Sequence, residues 1–428
     1  MSLKNLAALT VVIQLTALAS MCDAAEDVYV PSDAASREIL EQTAKERTLR
    51  LGGLDLFPRA SGTLVYDDNI LITHDNEEDD VIWSLEPGLA ITAGDVGAYL
   101  PGSVTLQQLR SLLYFSLVDN MDKPRRFAGL DYAPEFNFYT HNSHLNNVGH
   151  TARFTGGYAL SRLALGLDAD YVRETAKNNY VGDLLETSRV DASVRARYDF
   201  NNLTWLDNQL RFYWFDYDDS EYQGYQELEY QAALNRTLAD RLSLGAGLGF
   251  GLVFPEATAD QIYEQLLVNA TYRLTGKLFL KTTLGVEFRQ YDSDESDSVN
   301  PVLSLAALYQ PRSTTTVTLE AHRRDEPSPY GGYNQILLGA SLSLRQNIHR
   351  HLFVTLAGGY DNVDYRDTGA AAYGDREDDY FNTRLAFEYE FNRHLLGTLF
   401  YGWRQSDSSM EDISYNNNLV GAQILWKF

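Results

Sequence analysis

The chain has 428 residues, among them 28 Tyr, 5 Trp, 30 Gly and 11 Pro, and a formal net charge of −24 at pH 7. So negative a field repels phosphate backbones and argues against nucleic acid as a partner. Beyond the first two dozen residues no run of about 18 apolar residues occurs, so no spanning helix is expected, and the aromatic- and glycine-rich composition suits many strands better than a helical enzyme.

In chain order, Lys4 precedes an apolar run from Leu6 to Ala19, broken by Thr10, Gln14 and Thr16, and then the small-residue site Cys22-Asp23-Ala24. Residues 1–24 read as a secretory signal peptide cleaved after Ala24. Lipidation of Cys22 is disfavoured because Met21 is bulky for the position before a lipidated cysteine. Residues 25–53 read as a periplasmic segment in which Ser36, Ile39, Leu40 and Thr43 predict a short helix over Ser36–Leu49. A second helix is predicted over Ser103–Val118, where Leu106, Leu109, Leu113 and Leu117 share one face, as a periplasmic insert near 95–125. Either helix covers the periplasmic rim or folds into a lumen.

From about Leu54 to Phe428 apolar and polar residues alternate in segments of roughly 9 to 14, the length a tilted membrane strand needs. Leu242, Leu244, Ala246, Leu248, Phe250 and Leu252 share one face, with Ser243, Gly245, Gly247, Gly249 and Gly251 opposite. Leu278 to Phe288 and Ile336 to Leu344 repeat the pattern. A soluble sandwich also alternates, but here short connections (158–162, 235–241, 273–277, 346–351, 391–394) alternate with longer acidic ones (67–80, 174–186, 292–297, 365–379, 405–412). Short periplasmic turns opposite long outer loops are the pattern of an all-β, antiparallel up-and-down transmembrane barrel. About 18 strands are predicted over 54–428, with 16 as the alternative, wide enough for an aqueous lumen.

In the closing strand Val420, Ala422, Ile424, Trp426 and Phe428 share one face, with Gly421, Gln423 and Lys427 opposite. The apolar face belongs against lipid. Trp426 and the terminal Phe428 resemble the signal that barrel-assembly machinery recognises in outer-membrane proteins, which places the chain in the bacterial outer membrane among lipid and lipopolysaccharide.

The stretch Gly62-Thr63-Leu64-Val65-Tyr66-Asp67-Asp68-Asn69-Ile70, followed by an acidic loop and Leu85-Glu86-Pro87-Gly88-Leu89, resembles the first hairpin of the β-barrel porin type 2 family. The resemblance implies a porin-like design and an association with exopolysaccharide production and export, hence periplasmic polysaccharide-export proteins as partners. The long insert between Gly94 and Arg126 departs from the short turn expected there.

No catalytic constellation, metal set or cofactor motif is found, and the chain is not read as an enzyme. His141, His144, His349 and His351 fall in connections and read as solvated. If apolar faces meet lipid, the predicted pore-lining residues are Asp168, Asp170, Asp191, Arg195, Arg197, Arg211, Glu227 and Glu229, with Glu320, Arg345, Arg384, Glu388, Glu390 and Arg404 completing a belt. Such residues form either a satisfied cross-strand ladder or an unpaired belt that selects solutes by charge. The inward glycines 245, 247, 249 and 251 mark local curvature or a strip on which a helix or loop packs. The run Asp75, Glu77, Glu78, Asp79, Asp80 reads as a solvated loop, with divalent-ion collection as the alternative. The leading expectation is a porin-like channel for hydrophilic solutes, and the alternative is a conduit for exopolysaccharide export; a barrel serving as enzyme or anchor ranks last. A diffusion channel calls for a constriction made by a folded loop, a polymer conduit for a continuous open tunnel lined by aromatic and basic residues.

Overall fold

The computed structural model describes residues 49–94, 126–274, 277–292, 297–312, 314–367, 376–410 and 413–428. The helices predicted at 36–49 and 103–118 lie outside these residues, apart from Leu49, which is in a strand.

A short strand, β1 (Leu49–Leu51), precedes the first hairpin, β2 (Leu54–Asp67) and β3 (Asp80–Gly94). Next come β4 (Arg126–Tyr139), β5 (Asn147–Ala159), β6 (Leu163–Asn178), β7 (Asp183–Asn201), β8 (Thr204–Tyr217) and β9 (Tyr225–Ala239). The wall continues through β10 (Leu242–Pro255), β11 (Gln261–Leu274), β12 (Leu278–Tyr291), β13 (Ser298–Arg312) and β14 (Thr315–Pro327). It ends with β15 (Tyr333–His349), β16 (Leu352–Asp367), β17 (Arg376–Asn392), β18 (Leu395–Ser408) and β19 (Tyr415–Lys427). Each strand from β2 to β19 pairs antiparallel with its neighbours in sequence, and β19 returns to β2 from Leu419↔Asp67 to Lys427↔Arg59. The wall is therefore a closed barrel of 18 strands, with β1 as one extra strand on the foot of β2. Closure leaves no free sheet edge in the wall, which is what hydrocarbon demands of strands.

Connections of two or three residues close one end, as at 160–162, 240–241 and 393–394. Gly94, which ends β3, and Arg126, which begins β4, lie at that end too. The opposite end carries longer loops, such as 68–79, 140–146 and 218–224. Two of the predicted long loops are shorter than expected: β6 and β7 run on to a four-residue tip at 179–182, and β16 and β17 extend to Asp367 and from Arg376. These extensions carry polar residues on both faces, and ladder pairing runs on through Asn178↔Asp183 and Tyr365↔Arg376. Barrel strands are 13 to 19 residues long, whereas the hydrocarbon needs roughly 9–11. Several residues of each strand thus stand clear of the membrane.

The predicted faces match the pairing. Leu244, Leu248 and Phe250, Leu284, Val286 and Phe288, and Leu338, Leu342 and Leu344 are exposed on the outside, as are Val420, Ile424, Trp426 and Phe428. Gln423 on the inner face donates to Thr63 Oγ1 at 3.1 Å across the closing seam.

Candidate functional site

Register carries one face unbroken around the barrel, through Asp168↔Ser193, Ser193↔Arg211, Arg211↔Glu229 and Glu229↔Gly251. All the predicted pore-lining residues share this inward parity: Asp170 pairs with Asp191, Tyr213 with Glu227, Glu320 with Ser341, Arg384 with Gly402 and Asn382 with Arg404. Many are cross-linked by charge. Arg195 binds Asp168, which also accepts the Thr155 hydroxyl at 2.5 Å. Arg211 lies 3.4 Å from Asp191 and 3.9 Å from both Glu227 and Glu229. Arg345 grips Glu388 through two bonds of 3.1 and 2.8 Å. Arg197 turns to Asp199 on its own strand and stacks 4.5 Å over Trp205. The same design recurs at Arg59, which holds Asp131 bidentately at 2.6 and 2.8 Å. Such pairs satisfy inward charge across the sheet.

The glycine strip of β10 receives neither helix nor loop from among the described residues. Side chains of the adjoining strands lie over it: a Cβ on Gly251 would sit 2.0 Å from the Tyr263 ring, and one on Gly245 would sit 2.0 Å from Asn235 Oδ1. The missing Cβ lets Tyr263 cross β10 and donate to Glu227 at 2.6 Å, so the glycines serve close approach of neighbours.

The outer end holds what the sequence did not reveal. The β13–β14 ladder stops at Leu303↔Arg323, although both strands continue. Pro301 has no N–H, and its carbonyl oxygen accepts the Arg323 guanidinium at 2.9 Å. N–H and C=O of one strand residue point to the same neighbour, so the absent donor faced β14. Freed above this point, the β14–β15 hairpin leans inward. Asp325 and Asn334 stand at lipid-facing positions in the alternation, yet Asn334 is 1% exposed where Leu338 on the same face is 46% exposed. They rest against the inner wall: Gln261 donates to Asn334 at 2.8 Å, Asn300 to Asp325 at 2.7 Å, and Arg289 to the Asp325 carbonyl at 2.9 Å.

The tip of this hairpin reaches the loop between β8 and β9. Gln223 donates its backbone N–H to Pro329 O at 2.8 Å and its side-chain amide to Ser328 O at 2.8 Å. Tyr330 meets Tyr222 edge to face at 5.8 Å. Burial pushes the Tyr222 hydroxyl up to about 12, with Tyr330 adding to the shift, so it stays neutral at physiological pH.

A second hairpin comes from elsewhere on the wall. At the tip of β6–β7, Arg376 donates to Tyr180 O at 2.9 Å, the Tyr415 hydroxyl to Asn179 at 2.7 Å, and Tyr180 packs edge to face on Tyr380 at 5.7 Å. Lys177 inserts its ammonium among Asp67 Oδ2 at 2.6 Å, Asn69 O at 2.7 Å and Asn417 Oδ1 at 3.2 Å. Tyr330 joins the two hairpins, packing against the cluster of Tyr333, Leu337, Val363, Tyr365 and Tyr380 and also against that of Val181, Leu185 and Tyr217. The outer mouth is thus crossed by two infolded hairpins held by tyrosines.

Asp80, the last residue of the acidic run, is buried and accepts the backbone N–H groups of Thr140, His141 and Asn142 at 2.8 to 3.1 Å. It organises the β4–β5 loop. Among the described residues no group of three or more His, Cys, Asp or Glu side chains is placed to hold a metal. Lys177, Gln223, Arg289, Pro301, Asp325 and Asn334 were missed from sequence. For Asp325 the signal was charge on both faces of its strand, Arg323-Arg324-Asp325-Glu326, which is costly against lipid.

No curated protein matches the sequence. Among solved structures the chain is similar to Acinetobacter baumannii OccAB3, at 10% identity over 88% of this chain and 100% of that one, with a TM-score of 0.44. It is similar to opdK from Pseudomonas aeruginosa, at 13% identity over 87% and 99% of the two chains, TM-score 0.43. It is also similar to Pseudomonas aeruginosa OccK2 (OpdF), solved in complex with glucuronate, at 10% identity over 88% and 99%, TM-score 0.45. The first-hairpin resemblance at 62–89 lies outside the stretch that a family model matches: residues 270–428, from the end of β11 to the closing strand, match the family "Putative beta-barrel porin 2".

Proposed function

We propose that the chain is an outer-membrane channel through which small hydrophilic solutes diffuse, entering past the two hairpins at the outer mouth. The observation that carries this reading is the combination of a charged, polar inner wall with a mouth narrowed by the Tyr180 and Tyr330 hairpins. A polar lumen offers solutes hydrogen-bonding partners in place of water, and a narrowed mouth restricts size. Export of a polysaccharide requires a continuous tunnel, which infolded hairpins oppose; the channel reading is therefore preferred to the export reading. Assembly-machinery recognition of Trp426 and Phe428, and contact with lipopolysaccharide at the outer rim, complete this proposal.

The test is swelling of liposomes that contain the full-length protein in isotonic solutions of neutral sugars of increasing size. Monosaccharides are expected to enter and long oligosaccharides to be excluded. Equal entry of both contradicts a narrowed mouth, and entry of neither contradicts a channel.

A further inference from the structure

Most inward arginines of the barrel are neutralised: Arg59, Arg195, Arg211, Arg289, Arg345 and Arg376 each have a carboxylate within 4 Å. Arg384 and Arg404 differ. Among the described residues neither has a carboxylate partner, although the whole chain carries a charge of −24 and acids are plentiful. They sit together. Arg384 pairs with Gly402 and Asn382 pairs with Arg404, so the two arginines are diagonal neighbours on one inward face, their Cβ atoms about 7 Å apart, with Lys177 within electrostatic reach of Arg404.

Their surroundings are built. A Cβ on Gly421 would lie 2.3 Å from the Phe400 ring, so the ring lies over that glycine. The Arg384 guanidinium stacks 4.8 Å above the same ring. Stacking holds a guanidinium by its face and leaves its N–H edge free to donate. Arg384 points inward and is still exposed, so it meets lumen water. Diagonal like charges repel, and a bound anion turns that repulsion into attraction.

We propose that Arg384 and Arg404 form a binding site for the carboxylate or phosphate group of a small anionic solute, on the β17–β18 wall of the lumen. The proposal rests on the channel reading and adds a substrate class to it.

The test uses the full-length protein in planar bilayers with a KCl gradient and inorganic phosphate as probe. Folding of each variant is read from its heat-dependent gel mobility. Phosphate is expected to reduce the wild-type current. In Arg384→Gln/Arg404→Gln the reduction should weaken at least about tenfold, the loss of one charged hydrogen bond, and the reversal potential should shift toward cation selectivity. Arg153→Gln, an inward arginine on the distant β5 that also has no carboxylate partner among the described residues, should shift the reversal potential and keep the phosphate effect. An unchanged phosphate effect in the double variant, or none in the wild type, overturns the site. Absence of any wild-type current instead overturns the channel reading beneath it.

Discussion

Arg323 donates to the carbonyl oxygen of Pro301 at 2.9 Å, and above that contact β13 and β14 no longer pair. One proline thereby separates β14 from β13 and lets the β14–β15 hairpin, still paired with β16 as far as Tyr333↔Asp367, lean across the mouth. Pro301→Val restores the missing donor. One backbone hydrogen bond is worth about 1 kcal/mol net, so the ratio of infolded to wall-paired hairpin should fall about fivefold. Single-channel records should then show a wider level occupied more often. Unchanged records would mean that the hairpin is held inward independently of the proline.

The ammonium of Lys177 pins the other hairpin. Its side chain is 9% exposed and that of Asp67 is 6% exposed, so Lys177→Met leaves a buried carboxylate without its cation. Breaking such a pair costs about 3–5 kcal/mol. Urea unfolding of Lys177→Met should come at clearly lower concentration, and Lys177→Met/Asp67→Asn should recover much of the loss. Equal midpoints for Lys177→Met and wild type would remove the pin from the account.

On the β10 strip, Gly251→Val drives a side chain into the Tyr263 ring, and overpacking of this kind costs about 1–3 kcal/mol. Tyr263→Ala alone loses the bond to Glu227. If the ring over the glycine is the reason for the glycine, the double variant should be less destabilised than the sum of the two single variants. Additive losses would assign the glycines to curvature.

At the seam, the Phe428 backbone N–H donates to Pro58 O at 3.2 Å, and its ring lies 6.0 Å from that of His394. Deleting Phe428 should lower the yield of heat-resistant folded barrel in cells while leaving refolding in detergent nearly intact. Equal losses in both settings would make Phe428 a packing residue of the seam and not an assembly signal.

Alternation made the wall legible. Leu244, Leu248 and Phe250 announced a lipid face, and the strict period of two fixed which of Asp168, Arg195 and Arg211 turn inward, because a strand has only two faces. The mouth was not legible in the same way. Asp325 and Asn334 occupy positions that the period assigns to lipid, and only departure from the cylinder above Pro301 turns them against Gln261 and Asn300. Likewise the tip 179–182 looks from sequence like part of a long outer loop, since its partners Arg376, Tyr380 and Tyr415 are some two hundred residues away. Pairing between ladder neighbours is local in sequence, whereas the meeting of loop tips across a mouth depends on barrel closure.

Single-channel current through the full-length protein in planar bilayers tests the central claim most directly. The wild type should give a small, steady conductance, and Tyr180→Ala/Tyr330→Ala, which removes both aromatic contacts across the mouth, a clearly larger one. A wild-type protein that is folded but passes no current, or a double variant with the wild-type conductance, would contradict a solute channel narrowed by these two hairpins.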